Sequence, residues 1–176
     1  MSVQSISFYN NFVTILTFVA LIASVGLVVY RIVKGPEAAA DLLGTNAIWL
    51  AWIVALTCTV GSLIYSEIIH FPPCRLCWFQ RIAMYPLSVI LLVGAIRKEA
   101  QVKYYALPLA LAGLAVSIYH NLVQFNPSLE GGSCDPTNPC SARFVEMLGF
   151  IDIPFMAGAG FIVIAVLLTF FTKAKE

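Results

Sequence analysis

Four of the five cysteines form two pairs: Cys74 and Cys77 with two residues between them, and Cys134 and Cys140 with five. A thiol attacks as its thiolate, which forms most readily at a helix N-terminus or beside positive charge. Pro72-Pro73 precedes the first pair and a long apolar run follows it. This predicts a helix starting near Pro73, with both cysteines in its first turn. Free N–H groups in that turn favour a negative sulfur, and Arg75 and Arg81 add positive charge. At helical spacing Cys74, Cys77 and Arg81 lie in one stripe, which Met84 and Tyr85 continue inward. The second pair encloses Asp135-Pro136-Thr137-Asn138-Pro139. Its two prolines favour a compact loop able to close a small disulfide, and exposed disulfides of this kind exchange readily. The chemistry to expect is thiol–disulfide exchange, with electrons passing between the pairs and on to an acceptor.

The elements that position these thiols lie in lipid. Of the 176 residues 60% are hydrophobic and only 11% charged, with a mean hydropathy of +0.89. A soluble domain carries about 25% charged residues, so the chain is read as an all-α integral membrane protein. A span needs roughly 20 mostly apolar residues. Five runs qualify: Phe12–Tyr30, Ala47–Ile69, Leu76–Ile96, Tyr104–Leu122 and Ile153–Phe171. Met1 to Asn11 carries no positive charge, so the first run reads as a span and not as a cleaved signal. Net charge is +1, which argues against a nucleic-acid partner.

Lys and Arg set the orientation. With the N-terminus outside, Arg31, Lys34, Arg97, Lys98, Lys103, Lys173 and Lys175 lie inside, against Arg75, Arg81 and Arg143 outside. Both cysteine pairs then face outward, where disulfides persist. Arg81 falls about two turns into its helix, and an arginine at that depth is a candidate functional residue.

Other positions have milder readings. Cys58 reads as a small buried hydrophobe, and Glu67 and His70 as interfacial groups. Ser117, His120 and Asn121 crowd the outer end of the fourth run, and Pro108 interrupts its inner end. Ser141–Phe150 has helical spacing and predicts a short interfacial helix in the last outer loop. Asp152 is a predicted N-cap, with Pro154 in the first turn of the last span. Two rival functions remain at this level. Four cysteines loosely fit a metal site, although the spacing and the lack of a local histidine pattern count against it. A structural adaptor with two disulfides is the other. Trp78, not histidine, follows Cys77, which disfavours haem attachment.

The stretch Cys74-Arg75-Leu76-Cys77-Trp78-Phe79-Gln80-Arg81-Ile82-Ala83-Met84-Tyr85-Pro86 resembles the bacterial disulfide-bond formation protein B (DsbB) family, closest to its compact BdbC-type branch. Pro139-Cys140-Ser141-Ala142-Arg143-Phe144 and Gly149-Phe150-Ile151-Asp152-Ile153-Pro154-Phe155 are similar too, and the likeness covers roughly Ala47–Phe171. It implies a four-transmembrane-helix thiol oxidase core over residues 47–176, preceded over 1–46 by an extra transmembrane helix and an inner loop. It also implies a place in the bacterial cytoplasmic membrane and the task of reoxidising an extracytoplasmic DsbA-like thioredoxin-fold protein. Cys134 and Cys140 would meet that partner. Cys74 and Cys77 would form the quinone-proximal pair, with Cys77 facing a ubiquinone or menaquinone. Arg81 would help bind and activate the quinone, with His120, Met84 and Tyr85 beside it. Redox arithmetic agrees: a DsbA-type partner near −120 mV lies above a glutathione pool at about −180 to −210 mV. Reoxidation by such a pool would run uphill by about 60 mV or more, roughly 3 kcal/mol. The first span and the close spacing of the second pair depart from the better-known branch of the family.

Overall fold

The computed structural model describes residues 3–44, 46–130 and 134–172. Among the described residues six α-helices follow in order: α1 Val3–Lys34, α2 Pro36–Leu43, α3 Asn46–Leu63, α4 Arg75–Arg97, α5 Lys103–Phe125 and α6 Ile153–Phe170. Among the described residues no strand forms, only two isolated bridges. Among the described residues five stretches are long and apolar enough to cross a membrane: α1, α3 with its extension to Ile68, α4, α5 with the turn before it, and α6. These are the five expected spans. Lys173 and Lys175, which help set the expected orientation, lie outside the described residues.

Helices α3, α4, α5 and α6 pack in sequence, and α6 closes back on α3. Their core uses small side chains where backbones approach, with Ala51, Ala55, Ala83, Ala95, Ala106 and Ala110 among Leu87, Leu91, Phe161 and Ile164. Without a hydrophobic force between helices in lipid, close packing of this kind holds a bundle together. At Gly113 a Cβ would run into the Phe161 ring, so only glycine lets α5 and α6 meet there. Helix α1 lies outside the ring, against α6. Arg31 donates to the Phe170 carbonyl at 3.1 Å at one end. At the other, Tyr9 donates to the Gly61 carbonyl (3.3 Å) and Asn10 accepts from Tyr65 (3.0 Å).

Three local readings are revised. Helix α1 begins nine residues earlier than the apolar run, because Tyr9 finds a partner on α3 and Asn10 one at Tyr65 just beyond it. The inner loop forms α2, with Pro36 at its start and Gly35 (φ 90°) and Gly44 (φ 52°) in positive-φ conformations at its two ends. The expected interfacial helix over Ser141–Phe150 does not form: the segment is a chain of turns with one bridge between Met147 and Ile151. Leu148 (φ 54°) and Gly149 (φ 80°) reverse the chain. Its apolar residues are instead anchored singly, with Val145 buried and Phe144 stacked on Phe71 at 5.1 Å.

Candidate functional site

The first thiol pair is placed by the way α3 ends and α4 begins. The chain leaves α3 through a π-helical turn, Ile64–Ile68, then reverses at His70 (φ 64°). Pro72 and Pro73 disfavour helical backbone before them, and α4 starts at Arg75, two residues beyond Pro73 and close to the expected start. Cys74 is therefore the N-cap itself, and its Sγ accepts the Cys77 N–H at 3.3 Å. The two sulfurs lie 3.1 Å apart, with Cys74 buried and Cys77 half-buried. The Cys74 thiol is pulled down to about 4, chiefly by its hydrogen bond with Cys77. Burial works against this, and His120 and the Cys77 N–H work with it.

His120 is buried between the two pairs. Its Nε2 lies 3.0 Å from the Cys140 carbonyl and 3.6 Å from Cys74 Sγ. A carbonyl only accepts, so Nε2 carries the hydrogen. On the other side the Gln80 amide N–H donates to Nδ1 at 3.3 Å. This ring is thus a donor to the thiol side, with its acceptor nitrogen already engaged.

Cys134 and Cys140 are joined in a disulfide with Cα atoms 5.9 Å apart, as the compact loop predicts. Thr137 donates from its N–H and its hydroxyl to Asp135 Oδ1, and this holds the Asp135 carboxyl below its ordinary range. Glu130 clasps the far side, accepting from the Cys140 N–H (2.6 Å) and the Ser141 hydroxyl (2.9 Å). Asn138 ties the loop to the Pro73 carbonyl at 3.2 Å. Cys140 is fully buried and packs in one apolar cluster with Cys74, Leu76 and Val123, flanked by Cys77 and Cys134. Both pairs therefore occupy one end of the bundle, side by side.

Below Cys77 a cavity of about 520 Å³ opens among α1, α3, α4 and α6. Cys77, Arg81, Met84 and Tyr85 all line it, as does Cys58. Arg81 is 8% exposed, with Nε and one terminal nitrogen each 3.0 Å from the Ser62 hydroxyl and carbonyl oxygens. Its guanidinium sits over the Trp78 and Tyr85 rings. Among the described residues no carboxylate comes within salt-bridge distance of it. His120 does not line this cavity. It borders a separate one of about 20 Å³ shared with Cys74, Cys77, Gln124 and Asp152.

Sequence reasoning missed Gln80, Ser62 and Glu130. Gln80 sits in the Cys77–Arg81 stretch of α4 and was open to notice. Ser62 and Glu130 reach the site only through packing between distant segments.

A family model described as "Disulfide bond formation protein DsbB" matches residues 45–171. A "Probable disulfide formation protein" of Oceanobacillus iheyensis is 45% identical over 124 residues, 69% of this chain and 86% of that protein. "Disulfide bond formation protein C" of Bacillus subtilis is 43% identical over 130 residues, 73% of this chain and 94% of that protein. "Probable disulfide formation protein C 2" of Bacillus anthracis is 42% identical over 119 residues, 68% of this chain and 85% of that protein. No solved structure matches the chain. Two adjoining thiol pairs at one end of a membrane-spanning bundle, and a match over most of the chain, identify a thiol–disulfide oxidoreductase of the DsbB disulfide bond formation family.

Proposed function

We propose that the chain passes electrons from a soluble thioredoxin-fold thiol oxidase of DsbA-like type to a membrane quinone. The observation that carries this reading is the position of Cys77, which touches Cys74 on one side and opens onto the Arg81 cavity on the other. The cavity volume falls within the range of small-molecule sites. Its mostly apolar wall, with a buried guanidinium at Cys77, suits a lipid-soluble acceptor whose carbonyl oxygens gain negative charge. The quinone takes up two electrons and two protons and leaves as the quinol.

The chain's own steps follow from exposure. Cys134 is the more exposed member of the outer disulfide and is assigned to the partner. Once that pair is reduced, Cys140 as thiolate attacks Cys74 of the Cys74–Cys77 disulfide, and Cys77 departs. Cys134 then resolves the Cys74–Cys140 bond, leaving an outer disulfide and an inner dithiol, the pairing present here. The stabilised Cys74 thiolate favours the reduced inner pair, which makes that pair a stronger oxidant. The charge distribution supports a cytoplasmic membrane location with the cysteine end on the extracytoplasmic side. One feature favours a metal instead: ligand atoms of Cys74, Cys77 and His120 all lie within 4.8 Å. The outer disulfide leaves no four-thiolate site in this state, and stoichiometric zinc in purified protein would support the metal reading.

The test is quinone reduction by purified protein with a reduced DsbA-like donor, followed by absorbance with ubiquinone and with menaquinone. Turnover should vanish in Cys77→Ser. Arg81→Ala should raise the quinone KM or slow quinone reduction while leaving the donor KM unchanged, and Arg81→Lys should not restore it. Wild-type turnover in Cys77→Ser would refute the route.

A further inference from the structure

We propose that Asp152 is the proton-exchanging group of the inner thiol pair, acting through the small cavity it shares with Cys74, Cys77 and His120. This rests on the exchange route above and adds a residue to it.

Three observations converge. Asp152 is 2% exposed. Its Oδ1 caps α6 by accepting the Phe155 N–H at 2.8 Å, while its Oδ2 meets no donor. Gln124 presents a second acceptor of the same kind: its amide N–H donates to the Ala142 carbonyl and its Oε1 is left without a donor. Both residues line the cavity of about 20 Å³ that is also lined by both cysteines of the inner pair. That is room for one water-sized group with several polar neighbours. Two buried acceptors at one small space are satisfied by a proton on Asp152, by a water, or by both.

His120 does not fill this role as placed. Its Nδ1 receives the Gln80 amide N–H and its Nε2–H points to the Cys140 carbonyl and Cys74. It donates to a thiolate but has no free lone pair for an arriving proton. The groups facing Asp152 are Cys74 and Cys77 from the start of α4, His120 from α5, and Arg143 from the following loop, itself 3.2 Å from Glu146. Burial pushes the Asp152 carboxyl up from its ordinary range, opposed by the Phe155 N–H and the Arg143 guanidinium.

The exchange balances with this residue in place. Two electrons and two protons leave the Cys134/Cys140 dithiol, and an S–S bond forms there as the Cys74–Cys77 bond breaks. The two protons of the outer pair pass to water; Asp152 gives its own proton to the departing Cys77 thiolate while Cys74 stays a thiolate, and it takes a proton back when the inner pair is reoxidised. It ends the cycle as it began.

Asp152→Asn tests this cleanly, because the amide oxygen keeps the α6 cap while the ionisation is lost. Two measurements are needed. The first is the infrared difference spectrum on reducing the wild-type inner pair with dithiothreitol, read at the protonated-carboxyl C=O band. The second is quinone-linked turnover against pH. We expect a carboxyl band that changes with redox state and disappears in Asp152→Asn. Turnover in that variant should fall about 100-fold, the lower range for a positioned base, with both KM values unchanged and the pH dependence flattened. Asp152→Glu should recover part of the rate. A band unaffected by Asp152→Asn, or a variant with wild-type turnover and pH profile, would overturn the proposal. The infrared measurement uses no quinone, so it remains decisive even if no quinone supports turnover.

Discussion

Replacing His120 by leucine should weaken the oxidising power of the inner pair by a calculable amount. The His120 Nε2–H is one of the donors holding the Cys74 thiolate, at 3.6 Å and buried. A hydrogen bond to a charged group contributes about 1.5–3 kcal/mol. Removing it should raise the Cys74 pKa from about 4 by roughly one to two units. The sign is fixed by the thiolate: a depressed pKa stabilises the reduced pair at every pH above the folded value, and this is lost as pH falls through about 4. At neutral pH Cys74 is ionised in both proteins, so the whole difference appears in the potential. About 30 mV corresponds to 1.4 kcal/mol for a two-electron couple, so the potential should fall by about 30–65 mV. Thiolate ultraviolet absorbance against pH gives the pKa, and equilibration with a thioredoxin-fold reference of known potential gives the second number. An unchanged pKa in a folded variant would refute the assignment, and so would a raised pKa without a fall in potential. The leucine also leaves the Gln80 amide and the Cys140 carbonyl without their partner, so some loss of stability should accompany the change.

Two further outcomes concern packing. Gly113→Ala pushes a methyl into the Phe161 ring where α5 meets α6. It should cost about 1–3 kcal/mol, read as a lower midpoint of thermal unfolding in detergent; an unchanged midpoint would show that α5 and α6 separate easily there. Leu16→Trp adds bulk to the α1 wall of the larger cavity. It should raise the quinone KM about tenfold or more while leaving the thioredoxin-fold donor KM unchanged, and an unaltered quinone KM would place the acceptor elsewhere.

Much of the site was legible because it is local. Cys74, Cys77, Arg81, Met84 and Tyr85 lie on one helix whose start is marked by two prolines, so spacing alone predicts their shared face. Asp152 and Pro154 announce the start of α6 in the same way. Contacts between segments far apart in sequence were not legible. No local pattern tells that His120 would reach Cys74 and the Cys140 carbonyl, or that Ser62 would hold Arg81. The short helix over Ser141–Phe150 failed for another reason. Apolar spacing records which side chains seek the bundle, and turns anchored by Phe144 and Val145 meet that demand as well as a helix does.

Helix α1 lies outside the stretch that matches the family, yet Tyr9, Val13, Leu16 and Ala20 form one side of the larger cavity. Tyr9 grips the Gly61 carbonyl from one side while Arg81 grips Ser62 from the other. A chain trimmed to residues 45–171 would keep all four paired cysteines and the arginine but lose that wall. Under the route proposed here, its two half-reactions would then part company, with thiol exchange intact and the quinone reaction open to bulk bilayer. In this protein the border between enzyme and membrane is drawn by a segment that the family pattern does not count.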